Sequence, residues 1–533
     1  MMRRTIIATV ASLLFATAPA LCDDEHAGHG GHGHQVGKVD FANSCSPDVQ
    51  ADLASGVAMV HSFWFSAGEQ AFRNVLARDP GCAIAYWGMA SLLMFNPLNG
   101  VGPSPKDAEK AQAMLETARK MQVTPREHAY VEAVGAYYQD WANRPERARQ
   151  EARSKAYEAL SASYPDDDEA QIFNALYIAG TQSQADQTYS AYAKAVAILE
   201  KQFAKHPDHP GVAHYLIHSF DAPPLAARGL TAARMYADIA PDAPHALHMP
   251  SHIFTRVGAW EDSVSTNRRS FEAAIKGGEL PEAYHASDYA VYADLQLARD
   301  AAALSAENDV FKVKPPSASQ AAVAYSSAAM PARYAVERGD WLAAKQLALA
   351  EGGLPYTEAL TLFARGIGAA RSGDAATAEQ AASDLAVRYQ KLVDAKNTYW
   401  AREVEIQQRA VAAWIAMARK NTDDAVKLMR EAADLEDRNE KHIVTPGRIL
   451  PARELLGDML VEAGQPGLAL REYELSQQRE PNRFRGYYGA AVAAEAAGDR
   501  EKATMYYGKL LTLTKTADTQ RPELVRAKAY VAR

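Results

Sequence analysis

The sequence predicts an all-α protein in which helix-turn-helix repeats stack into an α-solenoid. Apolar residues recur at spacings of three and four along an alanine-rich chain, and no stretch shows the sustained alternation of a β-strand. Near the C-terminus, Gly464, Ala469 and Tyr473 each recur 34 residues later as the same residue type. A period of this length indicates a repeat architecture, which lets 533 residues fold without one single large core.

The same period can be followed through most of the chain. Pro207 and Pro241 lie 34 residues apart, and proline commonly follows the end of a helix. A turn signature at Gly339 marks a further repeat. The solenoid is expected over residues 47–515 with about nine to eleven repeats, and a C-terminal helix or tail is expected at 516–533.

The repeat length, the turn glycines and the closing prolines resemble the tetratricopeptide repeat (TPR) family. The segments HSFWF, DPGCAIAYWG, HMPSHIF and KHIVTPG are also similar to a group of exported bacterial TPR proteins whose activity is not established. This resemblance implies a right-handed solenoid whose concave surface is lined by positions 2, 5, 9, 12 and 13 of each repeat. It also favours binding over catalysis, because repeat proteins present extended binding surfaces.

The charge and the hydropathy pattern exclude two classes of interaction. The net charge of −8 and the pI of about 6.0 provide no basic surface for nucleic acid. After residue 15, no apolar run is long enough to span a bilayer. No transmembrane helix is therefore expected in the mature chain.

Residues 1–20 have the three parts of a signal peptide. A positively charged start is followed by an apolar stretch to Phe15 and by the small-residue cleavage pattern APA ending at Ala20. This predicts a periplasmic or secreted protein. Lipoprotein anchoring at Cys22 is the less favoured alternative, because Leu21 before it is not small.

Residues 21–46 are expected to form a disordered tail that is rich in histidine. Glycine separates its imidazoles, so they could wrap a copper, nickel or zinc ion, and a flexible solvating tail is the alternative. The four histidines are His26, His29, His32 and His34.

Cys45 and Cys82 predict a disulfide between the N-terminal segment and the first helical hairpin. Export would place both thiols in an oxidising compartment, where such a bridge is stable. The alternative is two buried free thiols, because the sequence does not show whether the geometry of a bridge is met.

Seven candidate ligands fall on concave positions of three successive repeats. When the closing proline is numbered 32, positions 2, 5 and 9 of the next repeat lie on one helical face, three or four residues apart. The residues at these positions are His214 and His218 in the first repeat, His245, His248 and His252 in the second, and His285 and Asp288 in the third.

These residue types predict a metal site. Imidazoles on neighbouring helices can converge on one zinc, copper or nickel ion, and Asp288 could bind the ion or orient an imidazole. His248 and His252 have the i, i+4 spacing of helical metal sites. Two alternatives are a peptide-binding groove and a network of polar side chains that only satisfy each other.

Several further residues lie near the predicted groove. Aromatic residues beside His61, namely Phe63, Trp64 and Phe65, are expected in the core, and His206 and His209 are expected at the edge of a repeat. The further groove candidates are His61, Arg333, Glu454 and Asp458, of which the two carboxylates could also serve as a general base.

The sequence is compatible with three functions. The first is a binding protein that holds a transition metal or a metal-dependent ligand. The second is a TPR scaffold that recognises a peptide or an envelope protein through the same groove. The third is a metal-dependent hydrolase or oxidoreductase with an open coordination position beside a base such as Glu454.

Overall fold

The structure confirms the predicted all-α class. The computed structural model describes residues 33–314, 317 and 320–533, and its regular secondary structure in those ranges is helical throughout. Successive helices pack against each other as hairpins, which stack along the chain into a TPR-like solenoid. The expected signal peptide at 1–20 lies outside the described residues.

The helices are short, as expected for repeat hairpins, and most are 10 to 21 residues long. Short 3-10 helices occur at Pro47–Val49 and Ala226–Gly229. The α-helices are α1 (Gln50–His61), α2 (Phe65–Arg78), α3 (Ala83–Leu92), α4 (Pro105–Arg119), α5 (Pro125–Tyr138), α6 (Glu146–Ser163), α7 (Asp168–Ala179), α8 (Ser190–Lys205), α9 (Pro210–Phe220), α10 (Leu230–Ile239), α11 (Pro244–His248), α12 (Pro250–Val257), α13 (Trp260–Gly277), α14 (Leu280–Gln296), α15 (Asp300–Phe311), α16 (Ala321–Glu337), α17 (Trp341–Ala344), α18 (Pro355–Arg371), α19 (Ala375–Asp394), α20 (Thr398–Ala418), α21 (Thr422–Glu436), α22 (Ala452–Glu462), α23 (Pro466–Arg479), α24 (Phe484–Ala496), α25 (Arg500–Leu513) and α26 (Pro522–Val531).

The periodic glycines end helices, as the repeat pattern predicts. Gly464 follows α22 with φ +72°, and Gly498 follows α24 with φ +78°. A side chain at such a left-handed position would be strained, so glycine allows the tight turn into the second helix of each hairpin.

The N-terminal segment 35–46 is ordered, which corrects the expectation of a disordered tail up to residue 46. Phe41 is buried, with its ring centroid 5.2 Å from that of Trp87 and 4.9 Å from that of Tyr130. The Ser44 amide donates to the Glu127 carboxylate over 2.8 Å. Its few apolar residues show no helical period, so the sequence pattern did not reveal that this segment packs.

A segment between α21 and α22, residues 439–450, lies inside the solenoid, and we call it the inner segment. The Glu440 amide donates to the Gln184 carbonyl over 2.9 Å, and a His442 ring nitrogen lies 3.2 Å from the Asn99 carbonyl oxygen. The inner segment therefore joins late repeats to much earlier ones.

The core forms where the aromatic pattern predicts it. Phe63 and Trp64 are buried, and Phe65 packs against the same apolar cluster. Within the part of the chain that the structure describes, none of the helices combines the length and the apolar character needed to cross a bilayer.

The predicted disulfide is present. Cys45 and Cys82 are bonded, with their Cα atoms 4.9 Å apart, so the alternative of two free thiols is wrong. The bridge fastens the ordered N-terminal segment to the N-terminus of α3.

Removing the bridge should destabilise the protein measurably. The cysteines are 37 residues apart, and a disulfide that closes such a loop is expected to contribute about 4 kcal/mol by restricting the unfolded chain. We expect Cys45→Ala/Cys82→Ala to lower the melting temperature in circular dichroism. Reductant should lower the melting temperature of the wild type and leave that of the variant unchanged, and equal melting temperatures for both proteins without reductant would contradict this prediction.

Candidate metal centre

Six of the seven candidate ligands come together in two groups of three histidines. Within each group, one ligand atom per residue lies within 4.8 Å of the others. Four helices supply them: α9, α11, α12 and α14. The first group is His214, His218 and His245, and the second is His248, His252 and His285.

In the second group, two imidazoles have fixed tautomers. The Asn267 amide nitrogen donates to the Ser263 carbonyl over 2.7 Å, so the amide oxygen faces His248. This oxygen accepts from His248 Nδ1 over 2.7 Å, and the Asp221 carboxylate accepts from His252 Nδ1 over 2.9 Å. In the neutral rings, both Nε2 atoms are then unprotonated.

The two unprotonated nitrogens face each other. His248 Nε2 and His252 Nε2 lie 3.1 Å apart, where their lone pairs repel unless a cation lies beside both. Burial, followed by the neighbouring imidazoles, lowers the pKa of His248 well below its usual value, which disfavours a proton there. The third member, His285, has a buried Nδ1 with no hydrogen-bond partner, and burial lowers its pKa to about 3.

The first group has a similar arrangement. His214 Nδ1 donates to the His61 carbonyl over 2.6 Å, so its Nε2 is unprotonated and lies 3.1 Å from His218 Nε2. Burial lowers the pKa of both His214 and His218 well below the usual value. His245 directs Nδ1 at the Glu282 carboxylate over 3.2 Å and leaves a buried Nε2 without a partner.

A buried carboxylate, Asp221, connects this centre to the inner segment. It receives hydrogen bonds from Arg256 over 2.7 Å and from Lys441 over 3.2 Å, besides the bond from His252. Burial disfavours its charge, but Lys441 and Arg256 outweigh that effect and hold the pKa of Asp221 well below its usual value. Burial lowers the pKa of Lys441 to about 8, against the attraction of Asp221.

The predicted ligand Asp288 is not a member of either histidine group. One of its oxygens accepts from Arg333 over 3.1 Å, and the other is buried without a hydrogen bond. Burial raises the pKa of Asp288 to about 6, although Arg333 opposes the shift. Arg333 also donates to the carbonyl oxygens of Gly447 over 2.6 Å and Arg448 over 2.9 Å, so it binds the inner segment and not Glu454 or Asp458.

The two carboxylates considered as a general base already have cationic partners. Glu454 is buried and accepts from Arg483 over 2.8 Å, and Arg483 also bonds to Glu337 over 2.7 Å. Asp458 accepts from Arg485 and from the Tyr473 hydroxyl. Neither carboxylate is among the donors of the histidine groups.

A third cluster contains His61 and His209 around Glu169. Their Nε2 atoms lie 2.9 Å and 2.8 Å from the Glu169 carboxylate. The other ring nitrogens have partners too, because Tyr215 lies 2.9 Å from His61 Nδ1, and backbone amides of α9 donate to His209 Nδ1. This cluster is a satisfied polar network.

The expectation that His209 is an edge residue is wrong. It is buried and caps the N-terminus of α9, and its position before Pro210 was the sequence signal for such a cap. His206 does lie at the surface, where it pairs with Asp168 over 2.8 Å.

The inner segment occupies the surface beside the histidines. The Tyr289 hydroxyl lies 3.1 Å from the carbonyl oxygens of both Ile443 and Thr445. The same side chain packs on the second group, with its ring centroid 4.7 Å from that of His248. At this point the chain itself takes the place that a bound peptide would take in an open groove.

Asp221 should be essential for stability because two buried cations depend on it. Removing one partner of a buried ion pair typically costs roughly 3–5 kcal/mol, since the remaining charge stays unpaired. We expect Asp221→Asn to lower the urea midpoint in the presence of a chelator, which excludes a contribution from lost metal. Asp238→Asn is the control, because that side chain is 82% exposed. An equal midpoint for both variants would show that Asp221 does not hold Arg256 and Lys441 in place.

No family model and no curated protein matches the chain. Similar solved structures include a TPR protein from Parabacteroides merdae, with 14% identity and a TM-score of 0.29, over 54% of this chain and 99% of that chain. Human IFIT1, solved as a dimer with PPP-AAAA, has 12% identity and a TM-score of 0.37, over 81% and 90%. Yeast Tom70 has 10% identity and a TM-score of 0.27, over 91% and 96%. The predicted resemblance to TPR proteins is thus found among solved structures, but similarity this low carries no argument about function.

Proposed function

We propose that this protein binds transition-metal ions through its two histidine groups. The observation that carries the proposal is the pair of facing Nε2 atoms of His248 and His252, both unprotonated and 3.1 Å apart. The bare Nε2 of His245 and the bare Nδ1 of His285 add two further buried donors without partners.

The surrounding residues fit such a role. Neutral imidazole is a good ligand for zinc, copper and nickel. Metal-binding histidines usually donate their second N–H to a carboxylate or a carbonyl oxygen, which fixes the ring. Asp221, Asn267 and the His61 carbonyl hold His252, His248 and His214 in this manner.

The cluster around Glu169 provides an internal comparison. There, His61 and His209 each have partners at both ring nitrogens, as expected for histidines with a purely structural role. The two histidine groups differ because several of their nitrogens face one another or face nothing. This contrast supports a metal over the alternative of a satisfied network.

The other two functions lack a specific observation in their favour. Helical-repeat proteins often bind a peptide on the concave surface, but residues 439–450 occupy that place beside the histidines. Catalysis with Glu454 as the base is not supported either, because this carboxylate is paired with Arg483.

We also propose that the protein acts in an oxidising compartment outside the cytoplasm, as a periplasmic or secreted protein. The Cys45–Cys82 disulfide supports this, because such bridges rarely persist in reducing surroundings. Metal capture by the tail stays a prediction, since His26, His29 and His32 lie outside the described residues and His34 is the one tail histidine within them.

Metal binding should persist when the tail histidines are removed and should depend on the two groups. We expect a tail variant with His26, His29, His32 and His34 all changed to Ala to retain bound zinc, copper or nickel in elemental analysis. Adding His214→Ala and His248→Ala removes one ligand from each group and should weaken binding at least about tenfold, with helicity unchanged in circular dichroism.

The matched control adds His128→Ala and His206→Ala to the tail variant instead. These side chains are 54% and 41% exposed and lie outside the groups, so metal binding should not change. If the tail variant binds none of the three metals stoichiometrically, or if both double variants bind alike, the proposal is wrong.

A further inference from the structure

We infer that the six histidines hold two metal ions, one in each group, as a paired centre built by repetition of one structural unit. The inference rests on the proposed function and adds the number, the arrangement and the charge of the ions. Six imidazoles exceed the three or four ligands that one tetrahedral ion accepts.

The two groups are related by the period of the solenoid. His214 and His218 recur 34 residues later as His248 and His252, at positions 5 and 9 of consecutive repeats. In both repeats the pair of Nε2 atoms is 3.1 Å apart. Equivalent positions in stacked repeats therefore present equivalent pairs of ligands.

The third ligand of each group obeys the same rule. His245 completes the first group from position 2 of the second repeat, and His285 completes the second group from position 2 of the third. The rule then ends, because the third repeat has Asp288 and Tyr292 at positions 5 and 9. Asp288 is paired with Arg333 and Tyr292 contacts Arg483, so no third group continues the series in the described part of the chain.

The two groups are in direct contact. The ring centroids of His218 and His252, one from each group, lie 5.6 Å apart, and those of His245 and His248 lie 5.9 Å apart. Two ions bound here would be close neighbours, and each would have three protein ligands and an open position.

Buried charges around the centre balance, which bears on the charge of the ions. Two dications repel each other about four times as strongly as two monovalent ions at the same distance. Copper binds imidazole and has a monovalent state, so the paired centre suits copper(I). The buried carboxylates are Asp221, Glu282 and Asp288, and the buried cations are Arg256, Arg333 and Lys441.

The experiment is an anaerobic copper(I) titration of the tail variant against a competing chromophoric chelator. We expect two copper ions per chain. His214→Ala/His245→Ala disables the first group and His248→Ala/His285→Ala disables the second, so each should reduce the number from two to one. X-ray absorption should show three nitrogen ligands per copper ion.

Milder variants keep the test valid if an alanine pair unfolds the protein. His245→Gln and His285→Gln each retain a polar side chain and should also leave one tightly bound copper ion. Circular dichroism verifies folding, and His206→Ala, which changes an exposed side chain, should retain two ions.

The outcomes separate the inference from the proposed function. One copper ion in the tail variant, or loss of both ions when either group is disabled, would overturn the paired centre and leave the metal-binding proposal standing. Zinc binding without copper(I) binding would do the same. Absence of binding for copper, zinc and nickel alike would overturn both.

Discussion

The buried carboxylate of Asp221 is the interaction that holds the centre together. It orients His252, pairs with Arg256 and receives Lys441 from the inner segment. Charges removed from water need partners, so this single side chain allows two cations and an imidazole to be buried together. It stands directly after α9, which places it between two consecutive repeats.

The inner segment converts a repeat scaffold into an enclosed site. An open solenoid exposes its concave surface to solvent, whereas here Arg333 and Tyr289 bind the carbonyl oxygens of residues 443–448. The buried backbone groups of this segment thereby gain partners that water would otherwise supply. Exclusion of water also explains why the imidazoles nearby are neutral, since burial lowers the pKa of His214, His218 and His248.

Repetition provides the histidine geometry at low structural cost. One helical face carries residues at i and i+4, and stacking of consecutive repeats sets those faces side by side. The same positions hold a salt bridge at Asp288 in the third repeat, which shows that the scaffold tolerates either chemistry. The identity of a few side chains on a common framework thus separates a ligand group from a structural ion pair.

Local spacing and residue chemistry suffice to predict the helical class, the 34-residue period, the Cys45–Cys82 pairing and the register that places six histidines on one surface. They do not predict how those histidines are held, which depends on the folded chain. Asp221 and Lys441 are 220 residues apart, and His61 reaches His214 through a backbone carbonyl that no side-chain pattern encodes. The ordering of Phe41, the burial of His209 and the pairing of Glu454 with Arg483 have the same origin. Periodicity describes contacts between neighbouring repeats, whereas these contacts depend on the path by which distant parts of the chain return to one another.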